Sequence, residues 1–475
     1  MWLKVLHFLI VCISTLSIDT ANGVEWPQCG EFVFPKDDTN LSIEEKQFRR
    51  KLPTLFESYD CGNAFDVEEA LKSLEKFQNL TSEKKCSETQ TLSPSLEITK
   101  RIQRDGYPAT THKVVTVDGY ILHLHRIANE DTLSGTNKAR TPVFLMHGLL
   151  ETASSWIALG PEHSLGYLLY DNGYDVWLGN CRGTRPSRGH ARLNSTGAQR
   201  KEYWSFSLHE IGIYDLPASI DYVLEKTNQS HLHYLGYSQG TTLFFIMTSM
   251  RPEYNEKITS MIAMAPVVFV KHSQHTFLNI LSRYYALIKK VLDFYKIYSI
   301  DYGNKALRWL AEFACKKIEN KSPFPCQFLL FFLDSNQINC TSLPRIVQSI
   351  PNSASVMQLF HFAQIKMSGE FKPFNYEDAA INRLMYGVSP PEPYNLTKTT
   401  VPVTIIYSTS DEVSNSSDVA LLRAQLQNVT ELYQVPIRDF KHIDFIYSRF
   451  VRKVINENVI DVLQMADQYS DTYNK

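Results

Sequence analysis

The 475-residue sequence lacks the features of several large protein classes. It has no long block of charges of one sign, and its formal net charge is −2, so we expect no nucleic-acid partner. No C-x-x-C pair occurs, which argues against a structural zinc site. Beyond the N-terminus, no apolar segment is long enough for a transmembrane helix, and we find neither an internal repeat nor a low-complexity tract. The composition, with 44% hydrophobic residues, indicates a globular protein without stable membrane insertion.

The N-terminus has the pattern of a secretory signal peptide. Lys4 precedes the apolar run VLHFLIVCIS, and the small residues of TANG place the end of the signal after Gly23. A membrane anchor is the alternative, although the run is too short to span a bilayer. We therefore expect a secreted protein, with a lysosomal destination as the alternative.

Two further counts fit this route. Nine N-x-S/T sequons predict a glycoprotein; they lie at Asn40, Asn79, Asn194, Asn228, Asn320, Asn339, Asn395, Asn415 and Asn428. Seven cysteines follow the signal, namely Cys29, Cys61, Cys86, Cys181, Cys315, Cys326 and Cys340. Because the number is odd, at least one thiol stays unpaired within the chain.

The chain after the signal divides into four parts. Residues 24–94 form a charged extension with a helical pattern. Residues 95–267 and 396–475 alternate short apolar runs with helical segments, which predicts an α/β fold with a mostly parallel sheet covered on both faces. The runs are PVFLMHGLL, YDVWLG, HLHYLGYS, TSMIAMAPVV and VPVTIIYSTS. Residues 268–395 interrupt this rhythm with aromatic-rich amphipathic helices, FLNILSRYYALIKKVLDFY and FPCQFLLFFLD, and we interpret them as an inserted cap.

A hairpin precedes the alternating region. Val114–Val117 and Tyr120–Ile127 are predicted strands joined by a turn at Asp118-Gly119. His123 and His125 lie on one face of the second strand. Since no further ligand follows at metal-binding spacing, we interpret them as surface or cleft-lining residues and expect no metal site.

Ser238 lies in the sequence Gly236-Tyr237-Ser238-Gln239-Gly240. This G-x-S-x-G motif is weak alone, but here a predicted strand precedes it and a predicted helix follows it. A nucleophile elbow needs that context, with glycines where strand and helix approach closely. The alternative is an ordinary serine in a glycine-rich turn.

A nucleophilic serine needs a base, and the base needs an orienting carboxylate. In this fold the order along the chain is serine, acid, histidine. His442 follows the last predicted strand, and Asp411 follows the strand VPVTIIYSTS, so these two are the candidates. Asp418 competes with Asp411, but its place near a helix start favours a capping role. Asp444 lies near His442 but comes after it in the chain.

The oxyanion hole of such a site needs two backbone N–H groups. One comes from the residue after the nucleophile, Gln239, and the other from a loop after an early strand. His147-Gly148 ends a predicted strand, so Leu149 is the second candidate donor. The alternative for His147 and Gly148 is a plain strand-ending turn.

Several motifs in one order now indicate a family. From about residue 95 to 465 the chain resembles the animal acid lipases, which include gastric and lysosomal acid lipases; the matching pieces include HGLLETASSW, NGYDVWLGNCRG, GYSQGTT, MYGVSPPEPYNL and KHIDFIY. The resemblance implies an α/β-hydrolase fold with Ser238 as nucleophile, Asp411 as charge-relay acid and His442 as general base. It also implies Leu149 and Gln239 as oxyanion donors and a cap with a movable lid.

The sequence departs from the family pattern in places. The loop YSTSDEVSNSSDV lacks the glycines usual before the catalytic aspartate, and Lys441 stands where the family has asparagine. The N-terminal extension resembles that of some insect members. Related lipases have a disulfide in the cap, which implies a Cys315–Cys326 pair here. Cys181 occupies a position where serine is common, and we interpret it as a free buried thiol.

These features predict a secreted serine lipase that cleaves ester bonds of neutral lipids at a lipid–water interface, without a cofactor. Triacylglycerol and sterol ester both stay open as substrates, and the oligomeric state is not indicated. One alternative is a carboxylesterase for smaller or specialised esters. Another is a non-catalytic lipid-binding or adhesion protein on the same scaffold.

Overall fold

The computed structural model describes residues 94–128, 140–300, 335 and 337–473. The predicted signal peptide, the extension up to residue 93, the segment FPCQFLLFFLD and the Cys315–Cys326 pair lie outside the described residues. So do the sequons at Asn40, Asn79 and Asn320. The described residues belong to one compact unit.

The described strands follow the predicted order. They are β1 (Thr110–Val115), β2 (Tyr120–Ile127), β3 (Pro142–Met146), β4 (Asp175–Leu178), β5 (Gly189–His190), β6 (Leu232–Tyr237), β7 (Ile258–Met264), β8 (Ser299–Ile300), β9 (Ala354–Ser355), β10 (Val403–Tyr407) and β11 (Val429–Gln434).

The described α-helices lie before, between and after these strands. They are α1 (Pro94–Arg104), α2 (Leu165–Asp171), α3 (Arg200–Tyr203), α4 (Leu208–Glu210), α5 (Leu216–Thr227), α6 (Gln239–Met250), α7 (Thr276–Arg283), α8 (Tyr285–Phe294), α9 (Leu343–Ser349), α10 (Val356–Ser368), α11 (Ala379–Tyr386), α12 (Ser416–Gln425), α13 (Asp444–Tyr447) and α14 (Glu457–Tyr473).

The main sheet has the strand order β1-β2-β4-β3-β6-β7-β10-β11, and β5 pairs with β2. All pairs from β4 to β11 are parallel, whereas β1, β2 and β5 join in antiparallel fashion. The mostly parallel α/β fold predicted from the sequence is therefore confirmed. Because the main-sheet strands β4, β3, β6, β7, β10 and β11 run in one direction, the loops after their carboxyl ends emerge at one edge of the sheet.

Two large apolar clusters cover the two faces of this sheet. Along β3, Phe144 belongs to one cluster, while Val143 and Leu145 belong to the other. Tyr234 on β6 joins the first cluster, and Leu235 joins the second. This alternation explains why each strand reads as a continuous apolar run, since both of its faces are buried.

Two details of the hairpin differ from prediction. The first strand spans Thr110–Val115 rather than the predicted Val114–Val117, and Thr116 lies beyond its end, where its N–H donates to Tyr120 O at 2.9 Å. His125 is fully buried, with its Nδ1 3.0 Å from Thr99 Oγ1, so its interpretation as a surface or cleft-lining residue is wrong. Helix α1, which the sequence pattern did not resolve, covers this face of β2.

The described part of residues 268–395 is largely helical and includes a small apolar cluster of its own. The stretch FLNILSRYYALIKKVLDFY is not one helix, because α7 ends at Arg283 and α8 begins at Tyr285. Helix α10 begins with a capping box, in which Ser355 and Gln358 bind each other's backbone N–H groups. The limits of the inserted cap stay predictions.

Candidate active site

Ser238 occupies a sharp turn between β6 and α6. Its backbone has φ 51° and ψ −116°, a conformation that side-chain-bearing residues rarely adopt. The surroundings hold it there, because its N–H donates to Met264 O at 3.0 Å. The two glycines of the motif are required by space: a Cβ on Gly236 would lie 2.7 Å from Gly240 C, and one on Gly240 would lie 2.3 Å from Met146 O. The strand-to-helix turn predicted from the sequence is thus present.

Three predicted side chains form one hydrogen-bonded chain. His442 Nε2 lies 2.8 Å from Ser238 Oγ, and His442 Nδ1 lies 2.7 Å from Asp411 Oδ2. The second oxygen of Asp411 accepts the N–H groups of Val413 at 2.8 Å and Ser414 at 2.9 Å. Both carboxylate oxygens are therefore occupied, and the Asp411 side chain is fully buried. The loop without the family's glycines still presents its aspartate to the histidine.

The competing carboxylates make other contacts. Asp418 lies in the first turn of α12 and accepts the N–H of His272 at 2.9 Å and its Nδ1 at 2.8 Å. Asn415 caps α12 through Ser417 N–H, so the capping role predicted for Asp418 is wrong. Asp444 accepts the N–H of Lys441 at 2.7 Å.

The loop after β3 runs beside the serine turn. Met146 pairs with Gly236 across the parallel strands β3 and β6, so residues 147–151 and Ser238 leave the sheet as neighbours. Leu149 lies in this loop. Gln239 is the first residue of α6, and the first N–H groups of a helix have no acceptor within it. These positions suit two N–H donors beside the serine, and Leu149 and Gln239 stay our predicted pair.

The neutral side chain of His147 holds this loop in place. Burial lowers the pKa of His147 to about 4, although its bond to Gly148 O opposes the shift. Nε2 accepts the N–H of Cys181 at 3.2 Å, so Nδ1 carries the proton and donates to Gly148 O at 2.7 Å. This fixed geometry favours a functional role for His147 and Gly148 over a plain strand-ending turn.

Sequence reasoning missed several polar side chains around the site. Gln358, at the start of α10, donates through Nε2 to Gln239 Oε1 at 3.0 Å. Gln239 Nε2 lies 3.7 Å from the sulfur of Cys181, a buried free thiol as predicted. Glu151 is buried under the loop after β3. The motifs that contain Glu151 and Gln239 do not indicate these contacts, because Tyr447 and Gln358 lie far away along the chain.

The described residues hold neither a cluster of metal ligands nor a membrane-spanning helix. Among residues 94–128, 140–300, 335 and 337–473, no three His, Cys, Asp or Glu side chains are grouped as metal ligands. In the same part of the chain, every helix is too short or too polar to cross a bilayer.

Comparison with known proteins agrees with this geometry. A family model described as the alpha/beta hydrolase fold matches residues 141–448, and one described as the partial alpha/beta-hydrolase lipase region matches residues 98–160. The fold therefore defines an α/β hydrolase.

Curated relatives narrow the class. Lipase 1 of Drosophila melanogaster is 38% identical over 78% of this chain and 80% of its own length. Lipase member K of Homo sapiens is 35% identical, and gastric triacylglycerol lipase of Homo sapiens is 33% identical, each over 78% of this chain and 91% of the relative. This chain belongs to the lipase family of α/β hydrolases, as its sequence motifs predicted, and is a carboxylic ester hydrolase.

Proposed function

We propose that this protein is a secreted serine lipase that cleaves neutral-lipid esters through Ser238, His442 and Asp411. The observation that carries the proposal is the position of His442, whose two ring nitrogens lie 2.8 Å from Ser238 Oγ and 2.7 Å from Asp411 Oδ2. Buried Asp411 is acceptor-only when ionised, so its Oδ2 accepts a hydrogen bond from His442 Nδ1–H, and the proton stays on the ring. Nε2 is then left as the acceptor for the serine proton.

The reaction follows from this arrangement. Ser238 Oγ attacks the ester carbonyl carbon while its proton passes to His442 Nε2. Asp411 stabilises the imidazolium, and the N–H groups of Leu149 and Gln239 bind the oxyanion. The C–O bond to the alcohol breaks, and His442 gives its proton to the leaving oxygen. Water then attacks the acyl-enzyme by the same steps. One oxyanion donor contributes about 3 kcal/mol in such sites.

The lipid substrate is proposed from the relatives and from the surface. The named relatives are lipases, and one is a triacylglycerol lipase. Helices α7, α8 and α11 expose large apolar side chains, among them Phe277, Phe294 and Leu384, which is 84% exposed. Apolar groups of this size on one inserted segment favour contact with a lipid–water interface over a substrate free in solution.

Secretion is proposed from the signal-peptide pattern and the sequons. Within the described residues, the sequon asparagines at 194, 228, 339, 395 and 428 are exposed, and Asn415 is half-buried. Exposed acceptor sites are what glycosylation in the secretory route requires.

The test is hydrolysis of emulsified long-chain triacylglycerol and of p-nitrophenyl butyrate by the wild type and by Ser238→Ala. We expect the wild type to cleave both substrates and Ser238→Ala to cleave neither. Ser249→Ala removes another buried hydroxyl, on α6, and should stay active. Cleavage of the short ester only would favour the carboxylesterase alternative. If Ser238→Ala were as active as the wild type, the proposed mechanism would be wrong.

A further inference from the structure

Glu151 is a buried carboxylate between two segments of the candidate site. Its Oε2 accepts the N–H of Gly148 at 3.1 Å, and its Oε1 accepts the hydroxyl of Tyr447 at 3.1 Å. Gly148 precedes Leu149 in the predicted oxyanion loop, and Tyr447 ends helix α13, which begins two residues after His442. One carboxyl group thus joins the loop of the oxyanion donor to the segment of the general base.

The oxyanion loop depends on this carboxylate for its shape. Glu151 N–H donates to Gly148 O at 3.3 Å, and the Glu151 side chain accepts the N–H of Gly148. Both backbone polar groups of Gly148 are therefore bonded to Glu151, which closes the turn. Leu150 within the turn has φ 62°, which is unfavourable for a side-chain-bearing residue. Closing the turn fixes the peptide plane between Gly148 and Leu149, which contains the Leu149 N–H.

The opposite side of the carboxylate reaches the base. Tyr447 Oη also lies 2.9 Å from Ser155 Oγ, which holds the phenol in place. Tyr237 precedes the nucleophile, and its hydroxyl donates to His442 O at 2.9 Å. Its ring also packs on Gly148, since a Cβ on that glycine would lie 3.0 Å from the ring. The oxyanion loop, the nucleophile turn and the base therefore share one packed unit.

We infer that Glu151 is a positioning residue for ester hydrolysis, which orients the oxyanion loop and, when ionised, stabilises the His442 imidazolium formed in the reaction. This inference rests on the proposed function of Ser238 and His442. Glu151 touches neither the substrate nor the reacting atoms, so it acts through Gly148 and through its charge.

The charge state of Glu151 changes within a range that is easy to assay. Burial raises the pKa of Glu151 to about 7, although the hydrogen bonds from Gly148 and Tyr447 and the electrostatic interaction with His442 oppose the shift. The titratable groups facing it are His442 and Tyr447 from the C-terminal segment and Tyr237 from the end of β6. Below about pH 7 the Glu151 carboxyl is neutral. Above this pH it is ionised, and its buried negative charge faces His442.

The test compares kcat for p-nitrophenyl butyrate in the wild type and Glu151→Gln from pH 5 to pH 8. The amide keeps the shape and an acceptor for Gly148, but it has no charge. We expect the two kcat values to be similar at pH 5 and to differ on the order of tenfold at pH 8, the size of one charge-assisted hydrogen bond. KM should change little, because Glu151 is remote from the substrate.

Control variants keep the result interpretable. Glu210→Gln alters another buried carboxyl, which accepts the N–H of Ser207 in the capping box of α4; its kcat relative to the wild type should not vary with pH. Tyr447→Phe removes one donor to Glu151 and should lower kcat with KM nearly unchanged.

Three outcomes would overturn the inference in different ways. If Glu151→Gln follows the wild type at every pH while Ser238→Ala is inactive, Glu151 has no such role and the proposed function stands. The same holds if the loss in Glu151→Gln is equal at pH 5 and pH 8, because a purely structural effect carries no such pH dependence. Activity of Ser238→Ala would refute the proposed function and the inference together.

Discussion

Replacing Asp411 by asparagine should disable His442 through its tautomer. Asn has one oxygen and one NH₂ group where Asp411 has two acceptors. The N–H groups of Val413 and Ser414 both point at Oδ1, so the amide oxygen must take that place. The NH₂ group then faces His442 Nδ1 and forces this nitrogen to accept. The proton moves to Nε2, which can no longer take the proton of Ser238.

The structure sets the size of this effect. Turning the amide round would leave two buried N–H donors without acceptors, at about 1–3 kcal/mol each. The active tautomer is therefore disfavoured by about 2–6 kcal/mol, which is roughly 30-fold to 10⁴-fold in rate. Loss of the charge that stabilises the imidazolium acts in the same direction. We expect a fall in kcat on the order of 10³ to 10⁴, similar to the tautomer effect in serine triads generally.

The assay is kcat for p-nitrophenyl butyrate with Asp411→Asn and Asp418→Asn side by side. Asp418 is the rival carboxylate, but it binds His272 rather than His442, so its variant should keep kcat within a few-fold. Thermal unfolding of both variants checks that they are folded. Retention of more than about a tenth of kcat by Asp411→Asn, or an equal loss in Asp418→Asn, would refute the reasoning.

Three further predictions concern the stability of the protein and the residues around the candidate site. Because the folded protein raises the pKa of Glu151 from 4.5 to about 7, the stability that this group contributes is present below pH 4.5 and is lost as pH rises through about 7. The free energy of unfolding of Glu151→Gln should therefore rise by about 3 kcal/mol relative to that of the wild type between pH 4.5 and pH 8, as measured by urea unfolding at each pH. A difference between the two proteins that does not change with pH would contradict this. Gly240→Ala should lower the free energy of unfolding by several kcal/mol, since its Cβ would meet Met146 O at 2.3 Å. At Gly173 nothing lies within 4 Å and φ is 92°, so alanine there should lower it by only about 1 kcal/mol. Equal melting temperatures of the two variants would exclude the clash. Gln358→Leu should lower kcat about tenfold, because it leaves the buried Gln239 Oε1 without its donor, and an unchanged kcat would show that this contact is not needed.

The sequence predicts best what local signals encode. The glycines around Ser238 and the apolar runs on both sides indicate the strand, the turn and the helix, because these signals lie next to one another in the sequence. The place of Asp411 after a strand predicts it, ahead of Asp418, as the acid. The hydrogen bonds agree with that preference, although the reason given for Asp418, helix capping, was wrong: Asn415 holds that position.

Long-range polar contacts escaped prediction for a physical reason. Glu151 and Tyr447 are 296 positions apart, and Gln239 and Gln358 are 119 apart. A glutamate in a turn or a glutamine on a helix carries no local sign of its partner, since solvent would satisfy either side chain equally well. His125 was misread in the same way, because α1 covers its strand and the sequence pattern did not indicate which element would do so.

The topology explains how residues from four distant places reach one site. Leu149, Ser238, Asp411 and His442 each follow the carboxyl end of a strand, namely β3, β6, β10 and β11. These strands and β7 are consecutive neighbours in the sheet and all run parallel. Their ends therefore lie along one edge, whatever the chain does between them. For this reason the long segment between β7 and β10, most of which we predict to be an inserted cap, is compatible with an intact hydrogen-bonded chain, since it begins after one strand end and returns before β10 begins.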